Sequence, residues 1–167
     1  MATYIDRAIA LIHHIHSYIW NMEDMFDLCD AVETFNADYH KGVRVECGLT
    51  RAALVYTDFV IKFDRKDAGD ETLHTFGTCE TEYNFYKKAE QEGFAYLFAE
   101  STKFSYKGTN YYIMPRIHGI DTARDEIEEY LTEEETDFLY DNLFDLHSGN
   151  FGFREGYPCI IDYAAVC

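Results

Sequence analysis

The chain has 167 residues, 47% of them apolar and 17% aromatic, which suits one folded domain with a core or a small two-lobed unit and excludes a disordered tail. Its 31 acids against 14 bases give a formal net charge of −17. Such a charge repels nucleic acid and anionic membrane, and suits a basic protein partner, a cationic substrate or mimicry of nucleic-acid charge.

Residues 4–36 read as helix, because Ile5, Ala8, Ile12, Ile15 and Ile19 recur every three or four positions and Met25, Leu28, Val32 and Phe35 continue the pattern. Asn21 is placed to interrupt this run or to cap a second helix. His13, His14 and His16 invite a metal reading, but His14 points off the apolar stripe and no local carboxylate or cysteine completes a site. Surface histidines are expected. Asp6 and Arg7 break the N-terminus early and no long apolar run follows, so neither a signal peptide nor a membrane span is expected, and the expected location is the cytoplasm. Cys29, Cys47, Cys79, Cys159 and Cys167 form no CxxC pair and no metal spacing, and an odd number cannot all pair internally. Reduced thiols follow.

From Gly42 the period changes. The stretch GVRVECGLTRAALVYTDFVIKFD is rich in β-branched residues and carries turn signals at Gly48 and at Thr57-Asp58, which predicts two or three antiparallel strands. RKDAGDETLHTFG reads as a polar loop. A helix is then predicted from the N-cap Thr78 to the C-cap Gly93, its inward face formed by Glu82, Phe85 or Tyr86, and Ala89. FAYLFAES and GTNYYIMPRI read as two further strands turned at Lys107-Gly108. An acidic helix follows, opened by a capping box of Thr132 with Glu135. Over residues 119–141 the chain carries ten acids and one arginine.

The segment DLHSGNFGFREGYPCIIDYA, residues 145–164, concentrates chemistry-bearing side chains around a predicted hairpin turned by Arg154-Glu155-Gly156. That hairpin would bring Asp162 back beside Asn150. An amide oxygen and a carboxylate are hard donors suited to Mg²⁺, which takes its other ligands from water and phosphate oxygens. Asp145 is then available to orient and deprotonate a hydroxyl nucleophile. Upstream, Lys62 stands among Phe59, Val60, Ile61 and Phe63, either as an outward-pointing lysine of an edge strand or as a cation held on a rigid strand for a phosphate. Such a lysine needs an acid to hold it, and Glu82 on the next helix is the choice over Glu80, because its spacing to Tyr86 puts it on the packed face. For Asp145, His147 and Asn150, turn and cap chemistry is the alternative reading.

The run D-L-H-S-G-N followed by I-I-D-Y-A resembles the catalytic and metal-binding loops of the protein-kinase-like superfamily, in its aminoglycoside-phosphotransferase flavour. CGLTRAALVYTDFVIKF looks like the Gly-x-x-Arg strand pair and lysine strand of small kinase-like proteins of bacteriophages, and YYIMPRIHG sits where a hinge between lobes belongs. The resemblance spans residues 42–166. It implies an α+β fold with a small antiparallel-sheet N-lobe over 39–113 carrying one αC-like helix, a hinge and truncated C-lobe over 114–167, and an N-terminal helical extension over 1–38. It also implies that Lys62 contacts the α- and β-phosphates of ATP and pairs with Glu82, that Asp145 is the catalytic base, and that Asn150 and Asp162 bind magnesium.

Three features depart from the family pattern. There is no G-x-G-x-x-G, Leu143 stands where a histidine precedes the catalytic loop, and the sequence runs only five residues past Asp162. Pro115 in the hinge also lacks an N–H for adenine. Two activities are therefore expected. One is a minimal kinase moving phosphate from Mg-ATP to a hydroxyl of a basic protein. The other is an inert kinase-like scaffold, encoded by a phage or parasite, that occupies a host protein through its acidic surface in the host cytoplasm.

Overall fold

The computed structural model describes residues 2–22, 24–118, 127–143, 146 and 148–164. The protein is a mixed α+β structure that divides into two compact units. A sheet unit comprises Met1–His74 and Ser101–Arg116, and a helix–hairpin unit comprises Thr75–Glu100 and Ile117–Cys167.

The sheet unit opens with α1 (Tyr4–Ile19) and α2 (Met25–Tyr39). Thr3 starts α1 with a capping box, accepting from the Asp6 N–H at 3.1 Å while Asp6 accepts from the Thr3 N–H at 2.8 Å. The break between the helices falls around Asn21, but Asp24 does the capping, taking the N–H groups of Phe26 and Asp27 at 2.8 and 2.9 Å. Strands β1 (Arg44–Cys47), β2 (Arg51–Val55), β3 (Phe59–Asp64), β4 (Thr102–Tyr106) and β5 (Thr109–Pro115) form an antiparallel sheet of order β1-β2-β3-β5-β4. The turn between β4 and β5 places Lys107 and Gly108 at φ 47° and 82°, the pair of left-handed residues that a tight hairpin requires.

Ala52, Leu54, Ile61, Tyr111 and Ile113 on one sheet face share a single core with Ala8, Leu11, Ile12 and Ile15 of α1 and Leu28, Val32 and Phe35 of α2. The N-terminal helices are thus half of this unit's core. The alternate face of β3 and β5 carries Lys62 and Tyr112, which pair across the strands.

In the helix–hairpin unit, α4 (Cys79–Glu92) runs from the N-cap Thr78 to Gly93 at φ 87°, as its punctuation predicts. Then come a 3-10 turn (Ala95–Leu97), α5 (Glu133–Asn142) and the hairpin of β6 (Phe151–Arg154) with β7 (Tyr157–Ile160). Aromatic rings fill the interior. Phe94 stacks on Phe138 at 4.3 Å between centroids, and Phe98 meets Phe85 and Tyr163 edge-on at 5.4 and 5.0 Å.

Three expectations fail. The polar segment 65–77 is not all loop, since α3 (Asp70–Phe76) forms there with Asp70 and Glu71 at its positive end. FAYLFAES is not a strand: Leu97, Phe98 and Ala99 are consecutively buried, with no two-residue alternation for a half-covered strand to use. Only Phe98 makes a bridge, to Ile160, and the strand begins at Thr102. His16 is not a surface histidine. It is 5% exposed, with Nδ1 2.7 Å from the hydroxyl of buried Tyr111.

Candidate functional site

Lys62 lies on β3, the middle strand of the sheet, flanked by Ala53 of β2 and Tyr112 of β5. The edge-strand alternative therefore falls. Its neighbour Ile61 is 0% exposed in the helix-covered core, so the two-residue period turns Lys62 to the other face, where it is half-buried. A lysine on a central strand has its backbone fixed by hydrogen bonds on both sides, which suits it to hold a charge in place.

Glu82, Asn150 and Asp162 belong to the other unit. The register of α4 puts Glu82 on its buried face with Phe85, Tyr86 and Ala89, at 2% exposure, while Glu80 is half-buried. Asn150 ends the 3-10 turn Ser148–Asn150 and is 7% exposed. The hairpin reverses through Glu155 and Gly156 at φ 54° and 83°, and its register pairs Phe151 with Ile160. As a consequence, the N–H groups of Ile161 and Asp162 both donate to the Asn150 carbonyl, at 2.7 and 3.2 Å. The sequence predicts this return of Asp162 to Asn150, but with a turn of Arg154-Glu155-Gly156; in the structure Arg154 still pairs with Tyr157, so the turn is Glu155 and Gly156 alone. Asp145 and His147 lie outside the described residues.

The Asp162 segment is held on more than one side. The Tyr163 hydroxyl donates to the Ala99 carbonyl at 2.7 Å, and its ring is 1% exposed. Burial pushes the Tyr163 phenol well up from its ordinary value, and the charges of Glu82 and Asp162 push the same way. Gly77, at φ 71°, comes so close that a Cβ there would stand 2.3 Å from the Ala164 carbonyl oxygen. Only glycine fits on both counts. The half-buried Asp162 thus hangs from an anchored backbone. The last of the chain's three crossings between the units falls at Arg116 and Ile117, just after Pro115 ends β5. On the sheet side the Arg116 N–H bonds the Asp58 carbonyl at 3.0 Å.

The acidic stretch is not uniform. Glu133, Glu134 and Asp137 are exposed, but Glu135 is 4% exposed and accepts from the Tyr96 hydroxyl at 2.6 Å, the Tyr157 hydroxyl at 2.8 Å and the Thr132 N–H at 2.6 Å. Burial acts to raise its pKa, but the hydrogen bonds from Tyr96, Thr132 and Tyr157 outweigh burial and hold the carboxyl below its ordinary value. The capping-box motif identifies Glu135 from sequence; nothing local signals the two tyrosines. Among the described residues no three His, Cys, Asp or Glu side chains gather as a metal site, and Cys29, Cys47, Cys79 and Cys159 are free thiols. Among the described residues, no helix is long and apolar enough to cross a membrane.

No family model matches this chain, and neither does any curated protein. Among solved structures, it is similar to the streptomycin–ATP–APH(2")-IIa ternary complex at 13% identity and a TM-score of 0.41, over 81% of this chain and 71% of that one. A likeness of that size is too slight to carry function, which must come from the chain's own residues.

Proposed function

We propose that the protein is a minimal kinase-like phosphotransferase that binds Mg-ATP and moves the γ-phosphoryl group to a hydroxyl of a basic protein. The observation that carries this reading is the backbone pairing that returns Asp162 to Asn150, at the end of the D-L-H-S-G-N run. The donor set fits magnesium: one amide oxygen and one carboxylate, leaving the other positions to water and phosphate. Bound there, the ion would neutralise charge on the phosphate oxygens.

Lys62 supplies a further positive charge for the α- and β-phosphates, and Glu82 orients it. Asp145 accepts the proton of the attacking hydroxyl. That oxygen bonds to the γ-phosphorus as the bond to the β–γ bridging oxygen breaks, and ADP leaves with the electron pair. Positioning and charge neutralisation are what this reaction mainly asks of a protein.

Ligand that binds only the folded state raises Tm. Mg-ATP should therefore raise it, Asp162→Asn should abolish the magnesium-dependent part, and Lys62→Met should weaken the whole shift. No shift at millimolar ATP with Mg²⁺ or Mn²⁺ would sink the nucleotide reading. Incubation with labelled ATP, with and without host lysate, then scores transfer. Binding without transfer would favour the second reading, an inert scaffold that occupies a host protein. What favours it is charge: the helix–hairpin unit carries 18 acids against 4 bases.

A further inference from the structure

Two of the free thiols, Cys29 and Cys47, are brought to one level of the sheet unit by the packing of α2 on the edge strand β1. The clamp at one end is Asn36. Its side-chain amide donates to the Val43 carbonyl at 2.8 Å, and its amide oxygen accepts the Val43 N–H at 3.0 Å. The chain reverses just before this, at His40 with φ 51°, so going back along α2 and forward along β1 leads away from the clamp in the same direction. Cys29 lies two helical turns back, roughly 10 Å at 1.5 Å per residue. Cys47 lies four strand residues on, roughly 13 Å at 3.3 Å per residue. The sides agree as well. Seven residues is close to two whole turns, which sets Cys29 on the stripe of α2 that carries Asn36. Cys47 shares with Val43 and Val45 the face of β1 turned to the core, while Arg44 and Glu46 between them are exposed.

Electrostatics give the same neighbour. Burial pushes the Cys47 thiol up, and the charge of Cys29 is the next cause pushing it the same way, ahead of Arg65, which pulls it down. Charges influence one another in this way only at short range, since screening removes the effect beyond roughly 8–10 Å. Access is open too. Both thiols are half-buried, and Cys47 lines a cleft of about 490 Å³, part of it open to solvent, beside Met25 and Leu28 of α2. A small oxidant therefore reaches sulfur without unfolding the unit. Cys79 and Cys159, at 1% and 0% exposure, are shut away in the other unit.

We propose that Cys29 and Cys47 are a reversible oxidation site that hydrogen peroxide closes into a disulfide, tying α2 to the edge of the sheet. One thiolate attacks the O–O bond and keeps one oxygen as a sulfenic acid, while the other oxygen leaves as hydroxide. The second sulfur then attacks the first and expels that oxygen as hydroxide. Two electrons pass from sulfur to peroxide, and the two thiol protons complete two water molecules. The site is independent of the nucleotide reading. To test it, the intact protein is treated with a stoichiometric dose of hydrogen peroxide, its remaining thiols are blocked with iodoacetamide, and it is digested without reductant for mass spectrometry. The expected product is a pair of peptides joined through Cys29 and Cys47, lighter by two hydrogens than the separate peptides and parted by dithiothreitol. The bond restricts the unfolded chain across residues 30–46, so the oxidised protein should melt about 5–10 °C higher than the reduced one. Cys29→Ser and Cys47→Ser should each lose both the joined peptides and the rise in Tm. Iodoacetamide label on both thiols after peroxide, or a bond to Cys79, Cys159, Cys167 or a second chain instead, would overturn the proposal. So would a joined protein that melts lower than the reduced one, because the fold would then have to open to make the bond.

Discussion

The two units solve the same stability problem with different material. The sheet unit buries mainly aliphatic side chains, with Phe35, Phe59 and Tyr111, between a sheet and two helices, and its 13 acids are nearly balanced by 10 bases. The helix–hairpin unit buries aromatic rings and two carboxylates, Glu82 and Glu135, and its 18 acids face only 4 bases. Most of the chain's negative charge therefore sits where Asn150 and Asp162 are displayed, whereas, among the described residues, the exposed Trp, Met, Phe and Leu side chains sit in the balanced unit. The excess negative charge and the exposed Trp20, Met25, Phe26 and Leu49 thus belong to different units.

The comparison breaks most visibly in the cores. Ile15→Ala in the sheet unit should cost about 2–5 kcal/mol, because the side chain is 0% exposed and leaves a cavity against β3 and β5. Denaturant unfolding measures it; a loss under about 1 kcal/mol would mean that the N-terminal helices are the mere extension the sequence suggests. In the helix–hairpin unit, Gly77→Ala should act on the site. It forces an L residue to φ 71° and pushes against the Ala164 backbone, displacing Asp162. The magnesium concentration needed for half the Mg-ATP shift should rise about tenfold, while magnesium-free ATP binding holds. Tyr163→Phe, which removes only the hydrogen bond to Ala99, should move the same midpoint by less. A fall in Tm with no change in that midpoint would make both residues structural alone.

Acid should separate the units in order. Burial, with Lys107 and Lys66 adding to it, holds the His16 imidazole below its ordinary 6.5 in the fold. The unfolded chain then takes up a proton first, so stability is full above about 6.5 and falls as pH drops toward the depressed folded value. Glu135 is likewise depressed, so its contribution is full above the carboxylate range and is lost as pH falls through its lowered folded value. His16→Asn should flatten the pH dependence of Tm between about 6.5 and 5 without touching the drop at lower pH. An unchanged slope would remove His16 from the account.

The smallest effect is expected on the acidic face. Reversing Glu133, Glu134 and Asp137 to Lys should slow association with a basic partner several-fold, with ATP binding intact and the effect shrinking as salt rises. Glu135 must be left alone, because a lysine there would lose three hydrogen bonds and bury a cation. Association indifferent to both salt and reversal would mean that the charge only keeps the protein in solution.

What the sequence determined is what lies within a few residues. The caps at Thr78, Thr132 and Gly93, the turn at Lys107-Gly108, the reversal near Glu155-Gly156 and the return of Asp162 to Asn150 all follow from short-range geometry. The register of α4, and with it the choice of Glu82 over Glu80 for the buried face, follows from helical spacing. Tertiary structure decided the rest. That β5 lies between β3 and β4, making the strand of Lys62 central, depends on pairing across about fifty residues, which no local pattern specifies. His16 and Glu135 look like surface residues until Tyr111, Tyr96 and Tyr157 arrive from 95, 39 and 22 residues away and supply the hydrogen bonds that make burial tolerable. Residues 94–99 have the composition of a strand, but rings from α4, α5 and Tyr163 enclose them and leave no open face for alternation to mark. Burial is a property of the neighbours, and the neighbours come from elsewhere in the chain.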